Sequence, residues 1–129
     1  MSKTLIPIRL KNAEDDIGRL RKTVLEIFVN RLTQHEQDNL LRVVLFGSVA
    51  RGDSNPDSDI DVFILLKEGT WELRNRIIDV ATDVALEEGE CKTHISAFVN
   101  FKEKYEEDSW LPVFQFIREE GVVLYDAAR

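Results

Sequence analysis

The chain has 129 residues, 43% of them hydrophobic, and carries 24 acidic against 17 basic side chains for a formal charge of −7. That is enough apolar material for one domain with its own core, and the acidic balance disfavours nucleic acid, whose phosphates are bound by clustered Lys and Arg. Cys91 is the only cysteine, which excludes an internal disulfide or a thiolate metal cage. No apolar run approaches the ~20 residues of a membrane-spanning helix, and the opening MSKTLIPIRL lacks the apolar block of a signal peptide. The expectation is a single cytoplasmic domain over residues 1–129.

Residues 13–33 place Ile17, Leu20, Val24, Ile27, Phe28 and Arg31 at helical spacing, with charges on the opposite side, and predict an amphipathic helix. Leu41 to Phe46 is short, apolar and rich in β-branched residues, and ends at Gly47; it reads as a buried strand. A polar loop rich in Gly, Ser, Asn, Pro and Asp follows. Asp59 to Leu66 is the second strand, with an acidic start and a continuous apolar remainder that fits burial on both faces. Thr70 caps a helix to about Glu88, with Trp71, Ile77, Ile78, Ala81, Val84 and Ala85 inward and Gly89 beyond its end. Lys92 to Val99 alternates as a third strand. Ser109 is read as the cap of a last helix with Pro112 in its first turn and Gly121 as terminator, and 122–125 (VVLY) as a final short strand. The order gives an α/β (α+β) fold, a small mixed sheet packed against helices.

The stretch LFGSVARGDSNPDSDIDVFIL, residues 45–65, carries the chemistry. A phosphate-binding loop of the Walker type needs Lys after its last glycine, and Gly52 is followed by Asp53; a dinucleotide fingerprint lacks its third glycine. A calcium loop is suggested by oxygen ligands at alternate positions from Asp53 to Asp61. It fails because Ser58 stands where the turn needs glycine and Ile64 where the bidentate Glu belongs. What survives is a Gly47-Ser48 turn followed by two carboxylates on one strand face, because residues i and i+2 of a strand point the same way. Asp59 and Asp61 therefore suit a divalent metal, in the pattern where two Mg²⁺ ions bridge a triphosphate. Gly47 permits close backbone approach, Ser48 offers a hydroxyl and an N–H, and Arg51 a fork of donors to the outer phosphates.

Gly47-Ser48, ten residues, then Asp59-Ile60-Asp61 resembles the Gly-Ser-x10-Asp-x-Asp signature of the DNA polymerase β nucleotidyltransferase superfamily, and the short chain looks like its minimal (MNT) branch. Phe46, Ala50-Arg51-Gly52, Ser58 and the ending Glu120 to Tyr125 are similar to that branch as well, so the resemblance covers about 13–126. It implies a polymerase β-like nucleotidyltransferase fold, ATP or another NTP as substrate, Mg²⁺ (two ions) on Asp59 and Asp61, and Ser48 on the triphosphate. It also implies a third carboxylate on the strand after the long helix. Lys92 to Val99 has none; His94 stands about there, as a candidate base or ligand.

The implied activity is transfer of a nucleoside monophosphate to a hydroxyl acceptor. The acceptor site would be shared with a partner protein, in this branch a HEPN-type toxin with the nucleotidyltransferase as antitoxin, or with a second copy of the chain. The alternative is a noncatalytic antitoxin or binding module that keeps the fold; modification of a small molecule such as an aminoglycoside ranks below both. Other features have plainer readings. Asp53, Asn55 and Asp57 are turn formers, Cys91 a small buried hydrophobe, Trp71 and Trp110 core anchors, and Glu103, Glu106, Glu107 and Asp108 a solvated helix face. The competing reading of His94 is a packed or hydrogen-bonded strand residue.

Overall fold

A computed structural model describes residues 6–11 and 14–128. The first helix, α1 (Asp16–Glu36), starts at Asp15, whose side chain accepts the Gly18 N–H at 2.8 Å. Its buried stripe is Gly18, Arg21, Val24, Leu25, Phe28, Val29 and Leu32, turned from the expected one, so that Ile17, Leu20 and Arg31 lie at its margin. A short 3-10 turn (Gln37–Asn39) leads into β1 (Leu40–Phe46).

The polar loop opens with a helical turn that the sequence reading did not foresee, α2 (Gly47–Arg51), closed by Gly52 in the left-handed conformation. Next come β2 (Ile60–Leu66) and α3 (Trp71–Glu87), whose cap is Thr70 as expected, accepting the Leu73 N–H at 3.3 Å. After the turn through Gly89 the chain forms β3 (Ile95–Phe101), α4 (Lys102–Asp108), α5 (Pro112–Glu120) and β4 (Val122–Asp126).

The four strands form one mixed sheet in the order β3-β2-β1-β4; β1 runs antiparallel to β2 and β4, and β2 runs parallel to β3. Alternation along β2 divides the core. Ile60, Val62, Ile64 and Leu66 face the larger cluster under α1 and α3, with Phe28, Leu32, Ile77 and Ala81. Phe63 and Leu65 face the smaller cluster, with Val44, Phe114 and Ile117 and with Phe98 and Tyr105 at its edge. Five ring contacts tie Phe63, Phe98, Tyr105 and Phe114 together at centroid separations of 5.1–5.9 Å, so aromatic packing fastens the α4–α5 hairpin to the sheet. Covered on both faces, β2 is apolar nearly throughout, as its sequence implied.

Several expectations are corrected. Trp71 and Trp110 are 66% and 73% exposed: Leu73 and Ile77 fill the inner face of α3, and Trp110 lies in the turn between α4 and α5. Cys91 is exposed, in a turn where Glu90 and Cys91 both have positive φ (54° and 60°). The last helix is α5 with Pro112 in its first turn as expected, but Ser109 ends the preceding α4 rather than capping α5, whose first turn is preceded by Leu111. The turn at 89–94 delays the third strand to Ile95. These placements give a first prediction. Phe28→Ala, which empties a fully buried site, should cost about 3–5 kcal/mol in urea denaturation. Trp71→Ala and Trp110→Ala should each stay within about 0.5 kcal/mol of the parent.

Candidate active site

The site lies at one end of the sheet, where β1 ends and β2 and β3 begin. Phe46 is opposite Asp61 across the β1–β2 ladder, and Ser96 is opposite Asp61 across the β2–β3 ladder. Asp61 shares its face with Phe63 and Leu65, so it stands at the open edge of the aromatic cluster beneath α4 and α5. Asp59 precedes the first residue of β2; its neighbour Ile60 donates its N–H to the His94 carbonyl at 2.8 Å. His94 is on the solvent side of that contact, 61% exposed, with Nδ1 3.4 Å from Asp59 Oδ1, so it is not a packed residue.

Gly47 decides how close the turn comes to the carboxylates. Its φ is 77°, in the region that favours glycine, and a Cβ there would collide with Asp61 Oδ2 and lie 3.1 Å from Asp61 Cγ. Only a residue without a side chain lets the first turn of α2 lie against the Asp61 carboxylate. Ser48 follows in that turn, its carbonyl accepting the N–H groups of Gly52 and Asp53 at 2.9 and 3.1 Å.

Arg51, at the other end of α2, donates from Nε to Asp53 and from Nη1 to Glu120, both at 3.1 Å. These two hydrogen bonds raise its pKa further, and its charge reaches Asp61, where it favours ionisation. Burial nonetheless dominates at Asp61: desolvation, reinforced by the neighbouring charge of Asp59, pushes its carboxyl above the ordinary Asp range. The site thus holds more negative charge than its own residues neutralise.

Such a donor set fits a small hard cation. Mg²⁺ takes oxygen ligands and is commonly held by one or two carboxylates completed by substrate phosphates and water, which Asp59 and Asp61 can provide. Among the described residues no three His, Cys, Asp or Glu side chains converge as a metal site. Asn55 behaves as a turn former: its Oδ1 accepts the Asp57 N–H at 2.9 Å, and it donates its N–H to Ser58 Oγ at 3.0 Å, whereas the Asp53 carboxylate is taken up by Arg51.

Sequence reasoning missed two participants. Glu120, 69 residues from Arg51, arrives only through packing of α5 against α2. Arg21 of α1 reaches the loop before Asp59; its one signal in the sequence was a charge among the apolar positions of an amphipathic helix.

The family model described as a nucleotidyltransferase domain matches residues 24–121. The chain belongs to that family. Two proteins of Methanocaldococcus jannaschii, each named "Putative protein adenylyltransferase", are similar to it. One is 41% identical over 64 residues, covering 49% of this chain and 65% of that protein; the other is 34% identical over 98 residues, covering 76% and 91%. So the match spans a little under two thirds of the first relative. The fold is likewise that of solved structures: a toxin–antitoxin with AMP-PNP (TM-score 0.54, 19% identity, 79% of this chain and 73% of that one) and one described as a minimal nucleotidyltransferase (0.52, 23%, 84% and 96%). The mixed sheet with its helices is the nucleotidyltransferase fold that the motif implied. No helix among the described residues is long and apolar enough to cross a membrane.

Two predictions follow from the geometry. Because folding raises the Asp61 pKa, the folded chain binds that proton more tightly than the unfolded chain; ionised Asp61 lowers stability at neutral pH, and the loss is relieved as pH falls through the raised pKa. In metal-free buffer Asp61→Asn should melt higher than the parent at pH 7, and the difference should shrink on acidification. Gly47→Ala places a Cβ on the Asp61 carboxylate at a positive φ and should lower stability by about 1 kcal/mol or more in the same melts.

Proposed function

We propose that the chain is an adenylyltransferase, moving AMP from ATP to a hydroxyl of a partner protein. The observation that carries this reading is the contact between Gly47 and Asp61, which sets a phosphate-binding turn against an uncompensated carboxylate pair. In this arrangement the backbone of Gly47 and Ser48 and the Ser48 hydroxyl hold the outer phosphates, while Arg51, tethered by Asp53 and Glu120, lends positive charge at the rim. Asp59 and Asp61 would hold Mg²⁺, which would supply positive charge against the phosphates.

The acceptor oxygen forms a bond to the α-phosphorus as the bond to the bridging oxygen breaks, and pyrophosphate leaves. His94 can take the acceptor's proton: with Nδ1–H directed to Asp59, Nε2 remains an open acceptor. Positioning of donor and acceptor by the turn and the strand ends would carry much of the rate, with His94 standing in for the carboxylate that β3 lacks, where Ser96 lies beside Asp61.

The adenylyltransferase names of the relatives and the AMP-PNP of the toxin–antitoxin neighbour support ATP as donor. The toxin–antitoxin neighbours also support a protein acceptor, for which a HEPN-type toxin is our choice, with modification in the cytoplasm. A noncatalytic antitoxin that masks its partner is the second reading, favoured by the lack, among the described residues, of a third carboxylate converging with Asp59 and Asp61.

Intact-mass measurement separates the two. After incubation with ATP, Mg²⁺ and the protein encoded beside it, the partner should gain one AMP, and Asp61→Asn should abolish the gain. A tight complex with no mass change, in parent and variant alike, would establish the binding module. Ser48→Ala should weaken nucleotide binding by about 1 kcal/mol, roughly fivefold, in calorimetric titration. His94→Ala working at the full rate would remove His94 from the mechanism.

A further inference from the structure

Among the described residues Arg21 is the buried charged one, 5% exposed, and no step above uses it. Its guanidinium leaves α1 and enters the loop before the carboxylate pair, donating from Nη1 to Ser54 Oγ at 2.9 Å and from Nη2 to the carbonyls of Asn55 and Ser58 at 2.7 and 3.4 Å. Ser58 is the residue before Asp59. Asp59 itself lies outside β2, so the strand ladder does not fix it directly, and its position is inherited from that loop.

The loop is only partly packed down: Leu10, Ile17 and Val49 lie around it with space left between. It borders a cavity of about 80 Å³ whose walls include Gly18, Arg21, Val49 of α2, Ser54, Asn55 and Pro56. Space beneath a loop permits movement, and fixed donors reaching across it prevent movement. The arrangement is also costly. Arg21 Nε is buried without a hydrogen-bond partner, and desolvation lowers the guanidinium's pKa despite the opposing charge of Asp15. An apolar side chain of similar length would spare that cost and still fill the stripe between Gly18 and Leu25.

We propose that Arg21 is a positioning residue: it holds the 54–58 loop at the height at which Asp59 joins Asp61 on one metal ion, and so sets the metal dependence of nucleotide binding. The inference rests on the proposed Mg²⁺ and nucleotide site. Its test uses the full chain, AMP-PNP as ligand, calorimetric titration with and without Mg²⁺, and amide hydrogen exchange without ligand.

Arg21→Met should speed exchange across residues 54–60 and weaken Mg²⁺-dependent AMP-PNP binding at least tenfold, with metal-free binding unchanged. Arg21→Lys, which keeps the charge but not the fork, should fall between, and serves alone if Arg21→Met does not fold. Leu32→Ala, on the same helix and remote from the loop, is the stability control and should lower the melting temperature with affinity intact. The proposal is overturned if exchange at 54–60 is unchanged in the Arg21 variants, if their Mg²⁺-dependent affinity matches the parent's, or if Leu32→Ala weakens binding as much. Parent protein that binds no AMP-PNP, or binds it equally well as Asp61→Asn, overturns the nucleotide site instead; the proposal then fails with it, whereas unchanged exchange beside normal parent binding rejects Arg21 alone.

Discussion

The approach of Gly47 to Asp61 is the contact on which the site depends. A glycine at positive φ lets α2 turn directly off the end of β1, and the missing Cβ leaves the Asp61 carboxylate against that turn. The same proximity partly desolvates Asp61 beside Asp59, which is why its acidity falls. A fold selected for stability alone has little reason to set a repelling carboxylate pair against a turn that only glycine fits. A site that receives a cation and a polyphosphate has one, because those ligands supply the missing charge and hydrogen bonds.

The rest of the structure holds that contact in place. The larger core under α1 and α3 fixes β1 and β2, whose antiparallel register puts Phe46 across from Asp61. Parallel pairing of β2 with β3 brings His94 and Ser96 to the same end. The aromatic cluster of Phe63, Phe98, Tyr105 and Phe114 seats α5, and α5 delivers Glu120 to Arg51. Each support is an ordinary packing interaction, yet together they bring groups from four parts of the chain within reach of one another.

The charges are arranged unevenly. Arg51 is shared by two carboxylates at the surface, and such exposed pairs contribute little to stability. Their effect is to direct where the guanidinium sits. Arg21 is the opposite case, a charge taken out of water at a cost to the fold, spanning a cavity to reach the loop that carries Asp59. The His94–Asp59 pair is different again: both side chains are more than half exposed, at the solvent edge of the site.

The sequence by itself determined the strands β1 and β2, the cap of α3 at Thr70, and the Gly47-Ser48 and Asp59-Ile60-Asp61 spacing that marks the nucleotidyltransferase fold, because each rests on local rules: alternation, capping, turn chemistry and motif spacing. It did not determine α2, since five residues carry too little periodicity to announce a helix, and the turn was legible only as glycine and serine. Nor could it decide which large side chains are buried. Trp71 and Trp110 are as large as Phe114, but the inner face of α3 is filled by Leu73 and Ile77, a rotation set by the sheet it covers, and Trp110 falls in the turn before α5. Tertiary structure alone placed Glu120 on Arg51 and Arg21 on the loop before Asp59, because contacts between residues 33 to 69 positions apart have no local signature; only the packed sheet and helices bring such partners together.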